Sequence, residues 1–232
     1  MKIALLGYGK MGKVIEKIAL DRGHEIVLKK TSSNSFEGLQ NADVAIDFSL
    51  PDAVVCNIIE CFDTNIPIVC GTTGWLKDYE NIIDLCKEKQ GTFIYSSNFS
   101  LGVNIFFELN SHLAKIMSKF IQYKVSIEEI HHLQKLDAPS GTAISLANGI
   151  IEWSNYKNWS LENPNSDEIK ISAKRIENVP GTHSVFYNSD VDQIEIKHVA
   201  HNRDGFALGS IIAAEWLIGR KGIFSMKDVL SI

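Results

Sequence analysis

Apolar positions follow two different rhythms along this chain. In the first hundred residues short, nearly unbroken apolar runs recur at Lys2-Ile3-Ala4-Leu5-Leu6, His24-Glu25-Ile26-Val27-Leu28, Asp43-Val44-Ala45-Ile46-Asp47-Phe48, Ile66-Pro67-Ile68-Val69-Cys70 and Thr92-Phe93-Ile94-Tyr95-Ser96. Runs of this length bounded by turn residues predict strands buried on both faces. Between the first two runs, Met11, Val14, Ile15, Ile18 and Ala19 fall at helical spacing, and Gly23 suits the end of that helix. Pro51-Asp52 marks another helix entry. Strands alternating with helices predict an α/β unit, a Rossmann-like doubly wound parallel sheet.

After a long amphipathic helix expected over 104–117, the rhythm changes. Ile169-Lys170-Ile171 and Gln193-Ile194-Glu195-Ile196-Lys197-His198 alternate residue by residue, as strands with one wet face do. The expectation is a second α+β domain with a mixed or antiparallel sheet, beginning with the strand at Lys124-Val125-Ser126-Ile127-Glu128. The polar piece 155–167 is expected to be a mobile loop, with Trp153, Tyr156 and Trp159 as packing anchors. A helix over 206–217 follows, and Phe224 and Val229 would return to the first domain. The domains expected are therefore 1–102 with 203–232, and 103–202.

Within the first unit, Gly7-Tyr8-Gly9-Lys10-Met11-Gly12 has the spacing of a dinucleotide turn. The first glycine allows the tight turn, the second lets a pyrophosphate approach the backbone, and the third lets helix and strand pack closely. An acidic residue at the end of the second strand would hold the ribose of NAD, but Lys29 and Lys30 stand there instead. Two ammonium groups favour a phosphorylated ribose, so NADPH is the expected cofactor, with NADH use left open. Gly71-Thr72-Thr73-Gly74 and Ser96-Ser97-Asn98-Phe99 follow later strands on the expected ligand edge.

The second unit carries Glu129-Ile130-His131-His132-Leu133-Gln134-Lys135-Leu136-Asp137-Ala138-Pro139-Ser140-Gly141-Thr142-Ala143. Two imidazoles and an ammonium precede a hydroxyl-bearing turn that opens a helix. Imidazole titrates near neutrality, and N–H groups at a helix start attract anions, so the segment predicts acid chemistry on an acidic substrate. A metal is not expected, because adjacent histidines on a strand point in opposite directions and no suitably spaced third ligand follows.

A net charge of −5 argues against nucleic acid as a partner. Cys56, Cys61, Cys70 and Cys86 lack C-x-x-C spacing and are expected to be reduced core residues. No signal peptide or membrane span is expected, and the cytoplasm follows as the default location.

Taken together, these motifs resemble the dihydrodipicolinate reductase family over essentially the whole chain. The H-H-x-x-K-x-D-A-P-S-G-T-A run at His131–Ala143 is the most specific. Gly7–Gly12, Gly71–Gly74, Asn98–Asn104, Val179-Pro180-Gly181-Thr182 and Phe224–Leu230 follow in the family's order. The resemblance implies hydride transfer from reduced nicotinamide to a cyclic imine dicarboxylate, with loss of water, in the diaminopimelate route to lysine. It implies that Gly7–Gly12, Gly71, Thr72, Thr73 and Ser96, Ser97, Asn98, Phe99 bind the nucleotide, and that His132, Ser140, Gly141 and Thr142 bind substrate carboxylates. His131, as an imidazolium at neutral pH, and Lys135 would carry the chemistry. It also implies a homo-oligomer, a tetramer joined through the second domain. Another two-domain NADP oxidoreductase or a nucleotide-sensing regulator would share the N-terminal pattern, but neither explains the histidine segment.

Overall fold

The computed structural model describes residues 1–202 and 204–232, which form two compact units. One comprises Met1–Leu101 with Asp204–Ile232, the other the described residues 102–202. The domain start expected at 203 falls on Arg203, which lies outside the described residues.

In the first unit, β1 (Lys2–Leu6), α1 (Lys10–Asp21), β2 (Glu25–Lys30), β3 (Val44–Asp47), α2 (Pro51–Asp63), β4 (Ile68–Cys70), α3 (Tyr79–Glu88) and β5 (Thr92–Tyr95) alternate as the apolar runs predict. Residues 204–232 add α6 (Asp204–Leu217), β11 (Gly222–Phe224) and α7 (Met226–Leu230). The six strands lie in the order β11-β5-β4-β3-β1-β2, every pair parallel. Because side chains alternate along a strand, β1 sends Ala4 and Leu6 to one face and Ile3 and Leu5 to the other. The first pair packs with Val54, Ile58 and Ile82 of α2 and α3, the second with Ile15 of α1 and Ile211 and Ala214 of α6.

The second unit begins along α4 (Leu101–Met117) and continues through β6 (Lys124–His131), α5 (Gly141–Ile151), β7 (Asn158–Ser160), β8 (Glu168–Arg175), β9 (Gly181–Asn188) and β10 (Gln193–Ala200). Its sheet has the order β10-β9-β6-β8-β7 and is mixed: β6 runs antiparallel to β9 and parallel to β8. The stretch expected to be a mobile loop contains β7, which pairs with β8, and Trp159 packs on the core. That core joins Phe106 of α4, Leu146 and Ile150 of α5, and Val125, Ile127, Ile171 and Val185 of the sheet.

Cys61, Cys70 and Cys86 are buried, but Cys56 is exposed, which corrects the expectation that all four are core residues. It lies on the outer side of α2, whose buried positions are Val54, Asn57, Ile58, Cys61 and Phe62.

Candidate active site

The glycine turn of the first unit is held by its backbone. Gly7 has φ +96°, and a side chain there would run into the Phe48 carbonyl. The N–H groups of Gly7 and Tyr8 both donate to the Lys30 carbonyl at 3.1 Å, tying the turn to the end of β2. Gly12 lies against the Gly7 carbonyl, whereas a Cβ on Gly9, the residue before α1, would meet nothing within 4 Å. Open space over a helix start whose first N–H groups have no preceding carbonyl fits a pyrophosphate. Lys10 is exposed beside this opening and Met11 half-buried.

The neighbouring turns use their side chains inward. Thr72 Oγ1 donates to Asp47 Oδ1 at 2.5 Å and accepts from Ser49 N at 2.8 Å, while Asn57 Nδ2 donates to Asp47 Oδ2 at 2.6 Å. Burial pushes the Asp47 carboxyl up, opposed by these donors. Gly71 leaves room for the Phe48 ring, and Thr73 is exposed. Ser96 Oγ donates to the Asn98 carbonyl at 2.8 Å, Asn98 Oδ1 accepts from Ser100 N at 2.9 Å, Ser97 is exposed, and Phe99 is buried edge-on to Phe48.

The two lysines differ. Lys29 Nζ lies 2.5 Å from Glu16 Oε1 and 5.0 Å from the centre of the Tyr8 ring, whose hydroxyl donates to the same carboxylate. The hydrogen bond to Glu16 raises the Lys29 pKa. Lys30 Nζ donates to the Thr31 carbonyl at 2.7 Å and has no carboxylate partner among the described residues. It adjoins a turn in which Thr31 Oγ1, Ser33 Oγ and Asn34 Oδ1 bond one another.

In the second unit, β6 buries Val125, Ile127, Glu129 and His131 on one face, so a single strand face changes from apolar to ionisable halfway along. Register explains what gathers there: Glu129 lies across from His183 of β9, and His131 across from Arg175 of β8. Glu129, fully buried, accepts from Ser140 N through Oε2 at 2.9 Å and faces Arg175 Nη1 through Oε1 at 3.3 Å. Its Oε2 is also 3.7 Å from both His131 Nδ1 and His183 Nε2. Arg175 in turn donates to the carbonyls of Lys135 and Asp137, at 3.2 and 2.6 Å, and so holds the loop that carries the lysine.

Burial alone would push the Glu129 carboxyl up, but His183 and the Ser140 donors outweigh it and bring it to about 2, so it is ionised. Burial, and next the charge of His183, lower His131 to about 4, against the opposing pull of Glu129. This runs against the imidazolium expected at neutral pH: burial, with His183, Lys135 and Arg175 around the ring, disfavours a positive charge there and favours the neutral form. Lys135 Nζ is paired with both oxygens of Asp137, at 2.8 and 2.7 Å. His132 is half-buried, with Nδ1 lacking a hydrogen-bond partner among the described residues.

Ser140 caps α5: its Oγ accepts from Ala143 N at 3.2 Å and lies 3.1 Å from His183 Nε2. Its hydroxyl is thus occupied and buried, whereas Gly141 is exposed and Thr142 half-exposed at the helix start, where N–H groups lack helical acceptors. The atoms of Glu129, His131 and His183 lie within 4.8 Å of one another, close enough in number and type to hold a cation. Arg175 and the Ser140 N–H already take the carboxylate, so the cluster suits a proton better than a metal ion.

Glu129, Arg175 and His183 were not singled out from the sequence. A glutamate in phase with Val125 and Ile127 on an alternating strand was the available signal; Arg175 and His183 give no local one.

Comparison with known proteins adds a second line of support. A family model described as dihydrodipicolinate reductase, N-terminus, matches residues 1–99, and one described as dihydrodipicolinate reductase, C-terminus, matches residues 102–230. A curated 4-hydroxy-tetrahydrodipicolinate reductase of Christiangramia forsetii is 57% identical, covering 100% of this chain and 98% of its own length. One from Methanosarcina barkeri is 36% identical, covering 97% of this chain and 83% of its own. Among solved structures, dipicolinate-bound dihydrodipicolinate reductase from Paenisporosarcina sp. TG-14 shares the fold with a TM-score of 0.75 at 22% identity, covering 97% of each chain.

Proposed function

The chain belongs to the dihydrodipicolinate reductase family, and we propose that His131 and Lys135 carry its chemistry, with His132, Ser140, Gly141 and Thr142 forming the substrate site. The enzyme is an NAD(P)H-dependent oxidoreductase of the diaminopimelate route to lysine, acting on 4-hydroxy-tetrahydrodipicolinate. What carries the site assignment is the gathering of His131 and the start of α5 on one buried carboxylate, Glu129, whose partner Arg175 also holds the Lys135 carbonyl.

Bound reduced nicotinamide supplies the hydride. The exposed N–H groups at Gly141 and Thr142 bind one substrate carboxylate, as helix starts bind anions generally. His132 and Lys135 attract the other, Lys135 leaving Asp137 to do so. Two added negative charges beside His131 raise its pKa, so the ring takes up a proton as substrate binds and returns it to the substrate atom that gains electron density. General-acid assistance of this kind contributes about 10²–10⁴ in rate.

NADPH is the preferred cofactor in this reading. Lys30 and the hydroxyl turn after it supply recognition of a ribose phosphate, while Glu16 neutralises Lys29. The first unit contributes Gly7, Tyr8, Gly9, Lys10, Met11 and Gly12, together with Gly71, Thr72, Thr73, Ser96, Ser97, Asn98 and Phe99, of which Thr72 and Phe99 turn their side chains inward. The protein is further proposed to act in the cytoplasm as a homo-oligomer, a tetramer by family resemblance. No helix among the described residues is long and apolar enough to cross a membrane, and the edge strand β10 exposes Ile194 and Val199, with Val191 exposed just before it, where a second copy could pack.

The test is to supply the condensation product of pyruvate and aspartate semialdehyde and follow loss of reduced-nicotinamide absorbance with NADPH and with NADH. Turnover should occur with both and be more efficient with NADPH. His131→Gln and Lys135→Ala should each lower kcat by about 10²–10⁴, with NADPH affinity, read by fluorescence, unchanged. Undiminished turnover in both variants would overturn the assignment.

A further inference from the structure

We infer that Glu129 is the positioning carboxylate of the proton donor: it faces Nδ1 of His131, fixes the tautomer protonated there, and leaves Nε2 to carry the proton that is delivered. The inference rests on the reading of His131 as the acid. Nδ1 of His131 is buried and has no hydrogen-bond partner among the described residues, and a buried ring nitrogen without one is costly. The nearest acceptor recorded for it is Glu129 Oε2, at 3.7 Å. Contacts of this kind are commonly long before the substrate complex forms and shorten within it.

Nε2 points the other way, against Gly181, where a Cβ would sit 3.2 Å from it. The glycine thus keeps space beside the reactive nitrogen. Glu129 itself cannot turn aside: it is fully buried, with Oε2 holding Ser140 N and Oε1 facing Arg175.

Charge balance gives the carboxylate its second task. The groups facing His131 are Glu129 on its own strand, Arg175 on β8, His183 on β9 and Lys135 in the loop. Glu129 is the one anion among them. With it in place, the imidazolium formed on substrate binding has a counter-charge at Nδ1. During transfer the Nε2–H bond breaks as the bond from hydrogen to the substrate atom forms, the electron pair stays on Nε2, and the neutral Nδ1–H ring regains its proton from water. An orienting carboxylate paired with a catalytic imidazole works by this logic in hydrolases.

The intact wild-type protein supplies the first test. Nitrogen-15 NMR of labelled histidine should show His131 protonated at Nδ1 alone at pH 7, and at both nitrogens once the dicarboxylate dipicolinate is added. A ring protonated at Nε2 alone, or one that stays neutral with dipicolinate bound, would overturn the inference. The second test is Glu129→Gln, which removes the counter-charge: with its carbonyl in the place of Oε2 it can still accept from Ser140 N, and its amide then replaces the oxygen facing Arg175. Turnover number should fall about 10²-fold or more, KM should change less than about fivefold, and the high-pH limb of kcat should move to lower pH. Glu129→Asp should recover part of the loss.

A variant that merely melts earlier or raises KM, with kcat and its pH limb unmoved, would reduce Glu129 to a structural role and refute the proposal. Turnover surviving in His131→Gln would instead strike the reading of His131 beneath it, so the two failures are separable.

Discussion

At the glycine turn of the first unit, the open space lies over Gly9 at the start of α1, while Thr72 and Phe99 turn their side chains into the protein. At the end of β6 in the second unit, the groups that matter are side chains with charges to manage: Glu129, His131, Arg175 and His183 are held within one small volume. A backbone site is built by main-chain geometry and needs no counter-charge. A charged site needs counter-charges from several strands, because an ionised group out of water is stable only when paired. The two regions should therefore fail differently when altered.

The largest effect expected on stability is in the second unit. Arg175→Met leaves Glu129 buried without its guanidinium and frees the loop bearing Lys135. Breaking such a pair costs about 3–5 kcal/mol, and denaturant unfolding should show it together with a rise in KM. If Arg175→Met is as stable as wild type, the charged network is not what holds this region.

Gly7→Ala addresses the other side of the comparison. A residue forced to φ +96° costs about 1–3 kcal/mol in backbone strain alone, and contact with the Phe48 carbonyl adds to it. Thermal melting should drop, and NADPH affinity should fall with it, while dipicolinate binding stays near normal.

Acid separates the units without mutation. His131 is lowered to about 4, below an ordinary histidine, so between about pH 6.5 and 4 the unfolded chain binds a proton that the folded one refuses. Stability should decline as pH falls through that window. Glu129, lowered to about 2, extends the decline: its contribution is complete above the ordinary carboxylate range and is lost as pH falls toward its folded value. In His131→Gln the upper part of the decline should shrink, which melting curves across pH would reveal.

The smallest effect expected is on cofactor choice. Lys30→Ala should weaken NADPH about five- to tenfold, on the order of 1 kcal/mol, as suits an exposed charge pair, and leave NADH nearly unchanged. Lys29→Ala should do less, because Glu16 already holds that ammonium. Equal losses in the two variants would contradict the division of labour drawn between them.

Much of this was legible in the chain because its signals are local. Apolar runs and the G-x-G-x-x-G spacing concern neighbours in sequence, and the parallel sheet with its turn follows from them. The histidine run and the cap at Ser140 were visible for the same reason. Arg175 and His183 were not, since strand register alone brings them to Glu129 from 46 residues away and from the facing position on β9. The lowered pKa of His131 was not legible either, because it depends on that same company and on burial, neither of which a reference pKa contains. The strand at Asn158–Ser160 was missed because its polar flanks resemble a loop until β8 lies beside it.

The edge strand β11 has a consequence for how the molecule is made. A ribosome releases residues 1–101 first, yet the nucleotide-binding sheet lacks both β11 and the helix α6 that covers one of its faces until 204–232 have emerged. The intervening segment, contiguous in the message, has all its own strands earlier. The unit translated first is thus completed last, and during that wait the exposed flank of β5 is the place where a chaperone, or another nascent chain, finds a free strand edge.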